Sequence, residues 1–295
     1  MLRTRTRTLG RLQHFLPERA APKHVMPRKT APRKHLRHIH LAAGGREEVV
    51  GIRMTEKPML LMDLMPVAYA FSDALTRITK KKVLASGQCI ACDKCETPAC
   101  CRYLVALSTI EAAHLARKLL CEQPYKARKF AKKCRDRSRL LDDMIPEFSQ
   151  NYPETQHRPA EYVKQLEKWY ATQQLDCAFL VNKQCSLYAD RPLVCREWHV
   201  ADLASHCRPT GVAPRHLIAA PLSLSDVLAE TASHYSGRNE LVLLPAVVGW
   251  YERHQKVLRK QYPATEILDT FLGCAQACIE KQDKPALSMR VEHLP

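Results

Sequence analysis

Glycine and long apolar runs are both rare in this chain. Nine of its 295 residues are glycine, and none of them builds a glycine-rich loop of the kind that holds phosphates, dinucleotides or S-adenosylmethionine. The longest apolar stretches, near residues 59–65 and 241–251, are too short to span a bilayer. The motifs GxSxG and HExxH are also absent. The sequence therefore lacks the usual nucleotide-binding, serine-hydrolase and zinc-peptidase signatures, and it predicts no transmembrane segment.

The first 30 residues contain no serine and no apolar core of a secretory signal peptide. Cysteine, by contrast, is abundant: the chain has 13, an odd number. A secreted disulfide framework would have an even number behind a signal peptide. We therefore predict a cytoplasmic protein, because clustered cysteines in a reducing cytosol more often bind metals than form disulfides.

The formal charge of +16 is concentrated at the start of the chain. Residues 1–50 contain 12 lysine and arginine residues against 3 acidic residues, and they show no sustained apolar period. We predict that residues 1–55 form a basic, disordered tail. Such a tail attracts nucleic acid or an acidic protein without specificity. The plainer interpretation is a solubilising tail, or a gene start placed too early, ahead of Met54 or Met62.

Helix-favouring residues dominate the remaining chain. For residues 56–295 we predict a mainly α fold, a helical body with two cysteine-bearing loop regions that form a metal site. Ser108 is a good N-cap, with Glu111 as its capping-box partner. Apolar spacing and helix breakers predict helices over 64–82, from Ser108 to before Pro124, over 126–144 with Pro146 as its end, over 159–175, from Ser223 or Ser225 to His234, over 239–262 with a kink at Pro245, and over 264–281.

The first cysteine block runs CIACDKCETPACC. Cys89, Cys92 and Cys95 have the spacing C-x2-C-x2-C, and the pair Cys100-Cys101 follows after four residues. Two-residue gaps let thiolates converge on one centre, and ferredoxins use this run for three corners of a [4Fe–4S] cluster. Structural zinc also uses C-x2-C, closed by a second pair. Five thiols exceed the number that one Zn²⁺ needs, which indicates a cluster or a second centre.

The second cysteine block contains Cys177, Cys185 and Cys195, separated by seven and nine residues. These gaps are too long for one tight loop but are compatible with ligands on adjacent turns. Buried cysteines in a packed hairpin are the equal alternative. Pro192 fixes a turn that would aim Cys195.

Two arginines in the second block suit a supporting role. Arg191 and Arg196 would donate hydrogen bonds to sulfurs or offset the charge of several thiolates. The alternative is a structural pair with a carboxylate, such as that of Asp190 or Glu197.

The two blocks together resemble the YkgJ-type cysteine-cluster family, whose CxxCxxCC proteins are described as zinc- or iron-chelating. The second block carries the pattern C-x-F-L-x4-C-x-L-Y-x2-R-P-x2-C-R, and the match covers residues 89–198. The first block departs from the compact form through its four residues before the cysteine pair. In flagellin lysine N-methylases, similar motifs accompany an iron-sulfur cluster and methyl transfer. The resemblance implies metal binding, and the predicted ligands are Cys89, Cys92, Cys95, Cys100, Cys101, Cys177, Cys185 and Cys195.

Several other side chains are weaker candidates. A further ligand could come from the segment after the second block, although surface polar residues are the simpler interpretation. The remaining cysteines are expected mainly in helices or in the core. In chain order these candidates are Cys121, Cys134, His199, Asp202, His206, Cys207, Cys274 and Cys278.

Three functions remain open at this point. The first is a metal-binding protein with a cysteine-ligated centre, a [4Fe–4S] iron-sulfur cluster ahead of zinc. The second is an enzyme that uses such a centre for methyl or electron transfer onto a protein. The third is a zinc-stabilised interaction module whose basic residues around 126–139 bind nucleic acid or acidic proteins.

Overall fold

Helices make up most of the structure, a computed structural model that describes residues 34–94, 98–122, 124–151, 159–201, 217–238, 240–283 and 285–294. Residues 32–295 form one compact unit. The predicted mainly α class is confirmed. No helix in the described ranges is long and apolar enough to cross a membrane. The helices are α1 (Met65–Ala85), α2 (Thr109–Arg117), α3 (Pro124–Asn151), α4 (Pro159–Thr172), α5 (Leu193–Glu197), α6 (Leu224–Ser236), α7 (Val247–Leu258) and α8 (Ala264–Glu280).

Antiparallel strands lie before, between and after these helices in the sequence. Three of them, β1, β2 and β11, have seven to ten residues, and the others have two or three. Their bounds are β1 (Lys34–Ala43), β2 (Arg46–Thr55), β3 (Met59–Leu60), β4 (Ala106–Ser108), β5 (Leu180–Val181), β6 (Gln184–Cys185), β7 (His199–Val200), β8 (Leu217–Ile218), β9 (Leu241–Leu243), β10 (Gln261–Tyr262) and β11 (Ser288–Leu294). One three-stranded sheet has the order β11-β1-β2, and the other pairs are β3 with β10, β4 with β9, β5 with β6 and β7 with β8.

Residues 34–55 form a β-hairpin, so the prediction of a disordered tail over residues 1–55 is wrong for this part. Strand β1 buries Ile39 and Leu41, and β2 buries Val50 and Ile52. The alternation of buried and outward residues is the period of a half-buried strand. Histidine, arginine and glutamate on the intervening positions gave the segment a polar composition that hid this period. Residues 1–33 lie outside the described residues.

The hairpin turn explains why the strands pair here. Gly44 and Gly45 both adopt positive φ, 57° and 72°. This left-handed geometry at both central residues is that of the tight turns that match the twist of paired strands, and it favours glycine. The fold therefore begins ahead of Met54 and Met62.

Two predicted helix boundaries also need correction. Helix α3 does not end at Pro146 but continues to Asn151; the proline removes one backbone hydrogen bond without ending the helix. The predicted helix over 239–262 begins instead with strand β9, which pairs with β4. Pro245 lies in a 3-10 turn ahead of α7, because a proline fits the start of a helix better than its interior.

The buried side chains form two main clusters and a smaller third one. The first cluster lies between the three-stranded sheet and helices α1, α6 and α8, with Phe71 and Phe271 packed edge to face at 5.3 Å between ring centroids. The second joins α2, α3 and α7 to Phe179 of the second cysteine block. The third includes Leu166 and Tyr170 of α4. The second cysteine block therefore borders the second cluster.

Replacing Leu41 tests whether the hairpin belongs to the folded core. Leu41 is fully buried, so Leu41→Ala should lower the free energy of unfolding by roughly 2–5 kcal/mol. Val49→Ala is the control, because Val49 lies in the same hairpin but is 46% exposed. Urea denaturation followed by circular dichroism measures both. If the two variants lose the same small amount of stability, the hairpin does not contribute to the core.

Candidate metal centre

The second cysteine block folds as a short hairpin followed by a short helix. Strands β5 and β6 pair Leu180 with Cys185. Asn182 and Lys183 form the turn with positive φ, 51° and 61°. Phe179 is buried at 1% exposure and anchors the hairpin in the second core cluster. This packed hairpin places Cys185 two residues after its turn.

Backbone contacts bring the end of the first block against the start of the second. Cys100 and Cys101 lie in a 3-10 turn over Ala99–Arg102. The amide of Cys177 donates a hydrogen bond to the carbonyl of Cys101 at 2.7 Å. Arg102 then binds the carboxylate of Asp176 at 2.8 Å. Two segments more than 70 residues apart in sequence are thus held side by side.

The thiols of both blocks are close enough to influence one another's charge. Burial raises the pKa of Cys195 well above its usual value, and the negative charges of Cys177, Cys100 and Cys185 raise it further. Burial likewise raises the pKa of Cys177 to about 11, with smaller contributions from Cys185 and Cys100. A thiol whose pKa is raised by other thiolates has those thiolates nearby. One neighbourhood therefore contains cysteines from both blocks.

Cys100 and Cys101 form the hydrogen-bonded pair of this neighbourhood. The thiol of Cys101 donates to the sulfur of Cys100, and this bond lowers the pKa of Cys100. The pKa of Cys101 rises in turn because it supplies the proton, because it is buried, and because Cys177 and Cys185 add negative charge. Of the cysteines in the neighbourhood, Cys100 is the one most readily present as a thiolate.

Cys89 and Cys92 of the first block are placed differently. Cys92 lies against the segment after α5, where its sulfur donates to the carbonyl of Trp198 at 3.5 Å. Ile90 forms an isolated antiparallel bridge with Ala201. Cys89 is exposed, and Cys95 lies outside the described residues.

The described side chains do not form a metal coordination site. No group of three or more His, Cys, Asp or Glu side chains within the described ranges is arranged to hold a metal ion. The neighbourhood of Cys100, Cys101, Cys177, Cys185 and Cys195 is therefore defined by electrostatic proximity and backbone contact. Its ligand role stays a prediction.

Arg191 lies beside the thiol neighbourhood. Its guanidinium stacks over the ring of Tyr188, 4.5 Å from the centroid. Its positive charge acts to lower the pKa of Cys100, after the hydrogen bond from Cys101. It also counteracts the burial that raises the pKa of Cys185. Arg191 therefore has the location that the predicted charge-offsetting role requires.

Arg196 forms a structural pair with a carboxylate, which was the alternative to a role beside the thiols. It forms an ion pair with Asp73 of α1 at 2.9 Å and stacks over the ring of Tyr69 at 4.2 Å. Its remaining donors reach backbone carbonyls ahead of α5. Its carboxylate partner is thus on α1, rather than the Asp190 or Glu197 suggested by the sequence, because α1 packs across α5.

Two carboxyls that were not predicted to support the site, the buried Glu111 and the partly buried Glu197, hold the helix that carries Cys195. Glu111 accepts a hydrogen bond from the amide of Leu193, the first residue of α5, at 2.6 Å. Glu197, the last residue of α5, accepts from the amide of Leu224 at 2.7 Å and from Ser225 at the start of α6. Helix α5 is therefore tied to α2 at one end and to α6 at the other.

The capping of α2 explains how Glu111 reaches α5. Ser108 is the N-cap as predicted, and its hydroxyl accepts from the amide of Glu111 at 3.2 Å. The predicted reciprocal half of the capping box is wrong, because the carboxylate of Glu111 bonds Leu193 instead. Glu111 stands between apolar positions of the helix. A charge at such a position was the available signal of a buried role.

The weaker candidates fall in several places. His199 is buried in β7, and Asp202, His206 and Cys207 lie outside the described residues. Cys121 is exposed. Burial raises the pKa of Cys134 to about 12, as expected for a core residue of α3. Cys274 and Cys278 pack against the first core cluster, on a helix separate from the thiol neighbourhood.

Known proteins offer no match to this chain: no protein-family model, no curated protein and no solved structure is similar to it. The resemblance to the YkgJ-type family therefore stays a prediction from the cysteine motifs.

The burial of Glu111 predicts a specific pH dependence of stability. Burial raises the pKa of Glu111 from 4.5 to about 7, so the folded state holds this proton more tightly than the unfolded state. The contribution of Glu111 to the free energy of unfolding is therefore most favourable below pH 4.5, and it is lost as the pH rises to about 7. Glu111→Gln keeps a hydrogen-bond acceptor but cannot ionise.

Urea denaturation at a series of pH values measures this effect. Relative to the natural chain, the stability of Glu111→Gln should rise between pH 4.5 and 7 by on the order of 2–3 kcal/mol. Glu47→Gln serves as the control, since Glu47 is on the exposed side of the hairpin. A constant difference between Glu111→Gln and the natural chain across this range contradicts the assignment.

Proposed function

We propose that this chain is a metal-binding protein with a cysteine-ligated centre, an iron-sulfur cluster ahead of zinc. The observation that carries the proposal is the contact between the two cysteine blocks, where the amide of Cys177 donates to the carbonyl of Cys101 at 2.7 Å; Cys177, Cys100 and Cys185 are also near enough to raise the pKa of Cys195. Five thiols collected from two distant segments are more than packing requires. Thiolates are the ligands that soft and borderline metals prefer.

The surroundings of these thiols support a bound cation. The apolar residues next to these cysteines in sequence, Ala178, Phe179, Leu187 and Leu193, are buried. Several thiolates in such surroundings would repel one another strongly without a compensating charge. A cation removes that repulsion and holds the thiolates deprotonated. Arg191 would add positive charge from the side of Cys100.

The number of thiols exceeds what a single metal centre uses. One Zn²⁺ needs four ligands, whereas the neighbourhood offers five and the first block offers Cys89, Cys92 and Cys95 in addition. A [4Fe–4S] cluster would use four of them, and further thiols would allow a second centre. Methyl transfer, the enzymatic alternative, gains no supporting observation from the described residues.

One variant from each block tests whether both segments supply ligands. Protein purified anaerobically should contain iron and sulfide, with a brown colour, or else zinc. Cys101→Ser and Cys185→Ser should each lose most of the metal measured by elemental analysis, because each removes a thiol from the neighbourhood. Cys274→Ser should keep it, since Cys274 lies on α8 against the other core.

Circular dichroism of each variant separates metal loss from unfolding. Folded Cys101→Ser and Cys185→Ser proteins with the metal content of the natural chain would refute the proposed ligand set. A natural chain that takes up neither iron nor zinc after anaerobic reconstitution would refute metal binding itself.

A further inference from the structure

The N-terminal half of α3 has one apolar face and one basic face. Phe130 and Cys134 are buried in the second core cluster. Arg128, Lys129 and Lys132 lie on the opposite side and are exposed. Packing thus fixes which side of the helix reaches solvent, and that side carries positive charge.

Helix α7 runs antiparallel beside α3. Arg135 of α3 forms an ion pair with Glu252 of α7 at 2.6 Å. Leu141, further along α3, packs in the same cluster as Leu243, which precedes α7. The chain directions of α3 and α7 are therefore opposite. The C-terminal half of α7 consequently lies beside the N-terminal half of α3.

Two further basic residues extend the same surface from α7. Lys256 and Arg259 follow Glu252 by four and seven residues, so they share its face of the helix. Both are exposed. We name these exposed basic residues of the two helices the α3–α7 basic surface: Arg128, Lys129, Lys132, Lys256 and Arg259.

Acidic partners are nearly absent from the α3–α7 basic surface. Lys132 has an exposed pair with Asp136 at 3.2 Å, the kind that contributes little. Within the described ranges, the other four residues form no ion pair. The nearest acidic residue of α7, Glu252, is already paired with Arg135. Positive charges therefore accumulate across two adjacent helices.

We propose that the α3–α7 basic surface binds the phosphate backbone of a nucleic-acid duplex. Side by side, the exposed Lys and Arg side chains supply point charges for phosphates, and backbone binding needs little else. A protein partner generally adds several apolar or aromatic anchors, whereas Val257, at 72% exposure, is the one large exposed apolar side chain of α7. Binding of single strands uses aromatic rings for base stacking, and α7 exposes no aromatic ring.

Charge reversal on α7 tests this proposal in the full chain. Fluorescence anisotropy measures the affinity for labelled DNA and RNA duplexes of about 20 base pairs, two helical turns, over a range of salt concentrations. The variant Lys256→Glu/Arg259→Glu is compared with Arg53→Glu/Lys82→Glu. Both pairs are exposed and change the charge equally, and the basic N-terminal residues are the same in both.

The proposal predicts a selective loss of affinity. Lys256→Glu/Arg259→Glu should weaken duplex binding about tenfold or more and reduce the salt slope by about 2, whereas the control pair should change affinity less than about threefold. Equal weakening by both pairs would overturn the proposal, as would no duplex binding at low salt. Tighter binding of poly-glutamate or of a single strand than of the duplex would overturn it too.

Discussion

A hydrogen bond from the amide of Leu193 to the buried carboxyl of Glu111 connects the parts of this molecule that matter most for its site. Helix α5 has only five residues, and a helix that short is not stable alone. Glu111 holds its first residue, and Glu197 at its other end holds the start of α6. Because the fold around it fixes both ends, α5 can present Cys195 at a defined place.

The remaining site elements are built around that placement. Phe179 anchors the β5–β6 hairpin in the same core that α2 covers, which brings Cys177 and Cys185 to the vicinity of Cys195. The hydrogen bond from the Cys177 amide then holds the Cys100-Cys101 turn. Three separate local structures, a turn, a hairpin and a short helix, thus place thiols in one neighbourhood, and Arg191 adds positive charge at its edge.

The positions of the helices were largely predictable, because their apolar spacing is regular and their caps are local. Ser108 and Ser223 cap α2 and α6 as their sequence context indicates. The sequence did not predict the hairpin over residues 34–55, because the outward positions of its strands are polar. The third strand of its sheet, β11, comes from the other end of the chain. Pairing over such a distance leaves no local signal.

For the candidate site, the sequence predicted that the two cysteine blocks come together, but not which thiols of the first block lie next to the second. Motif spacing placed Cys89, Cys92 and Cys95 with the pair that follows. The structure instead groups Cys100 and Cys101 with the second block and sets Cys92 against Trp198. The role of Glu111 was also hidden, because its partner Leu193 is 82 residues away. Local spacing reports which thiols can share a loop, and tertiary contacts decide which ones meet.

X-ray absorption spectroscopy of anaerobically purified protein tests the central claim, that thiols from two segments meet at one metal centre. At the iron or zinc edge, the account predicts about four sulfur neighbours per metal at about 2.3 Å. A centre shared by the two segments should lose sulfur neighbours or bound metal in both Cys101→Ser and Cys185→Ser, one variant from each block. A first shell made only of oxygen and nitrogen, or the absence of bound iron and zinc, would contradict the account.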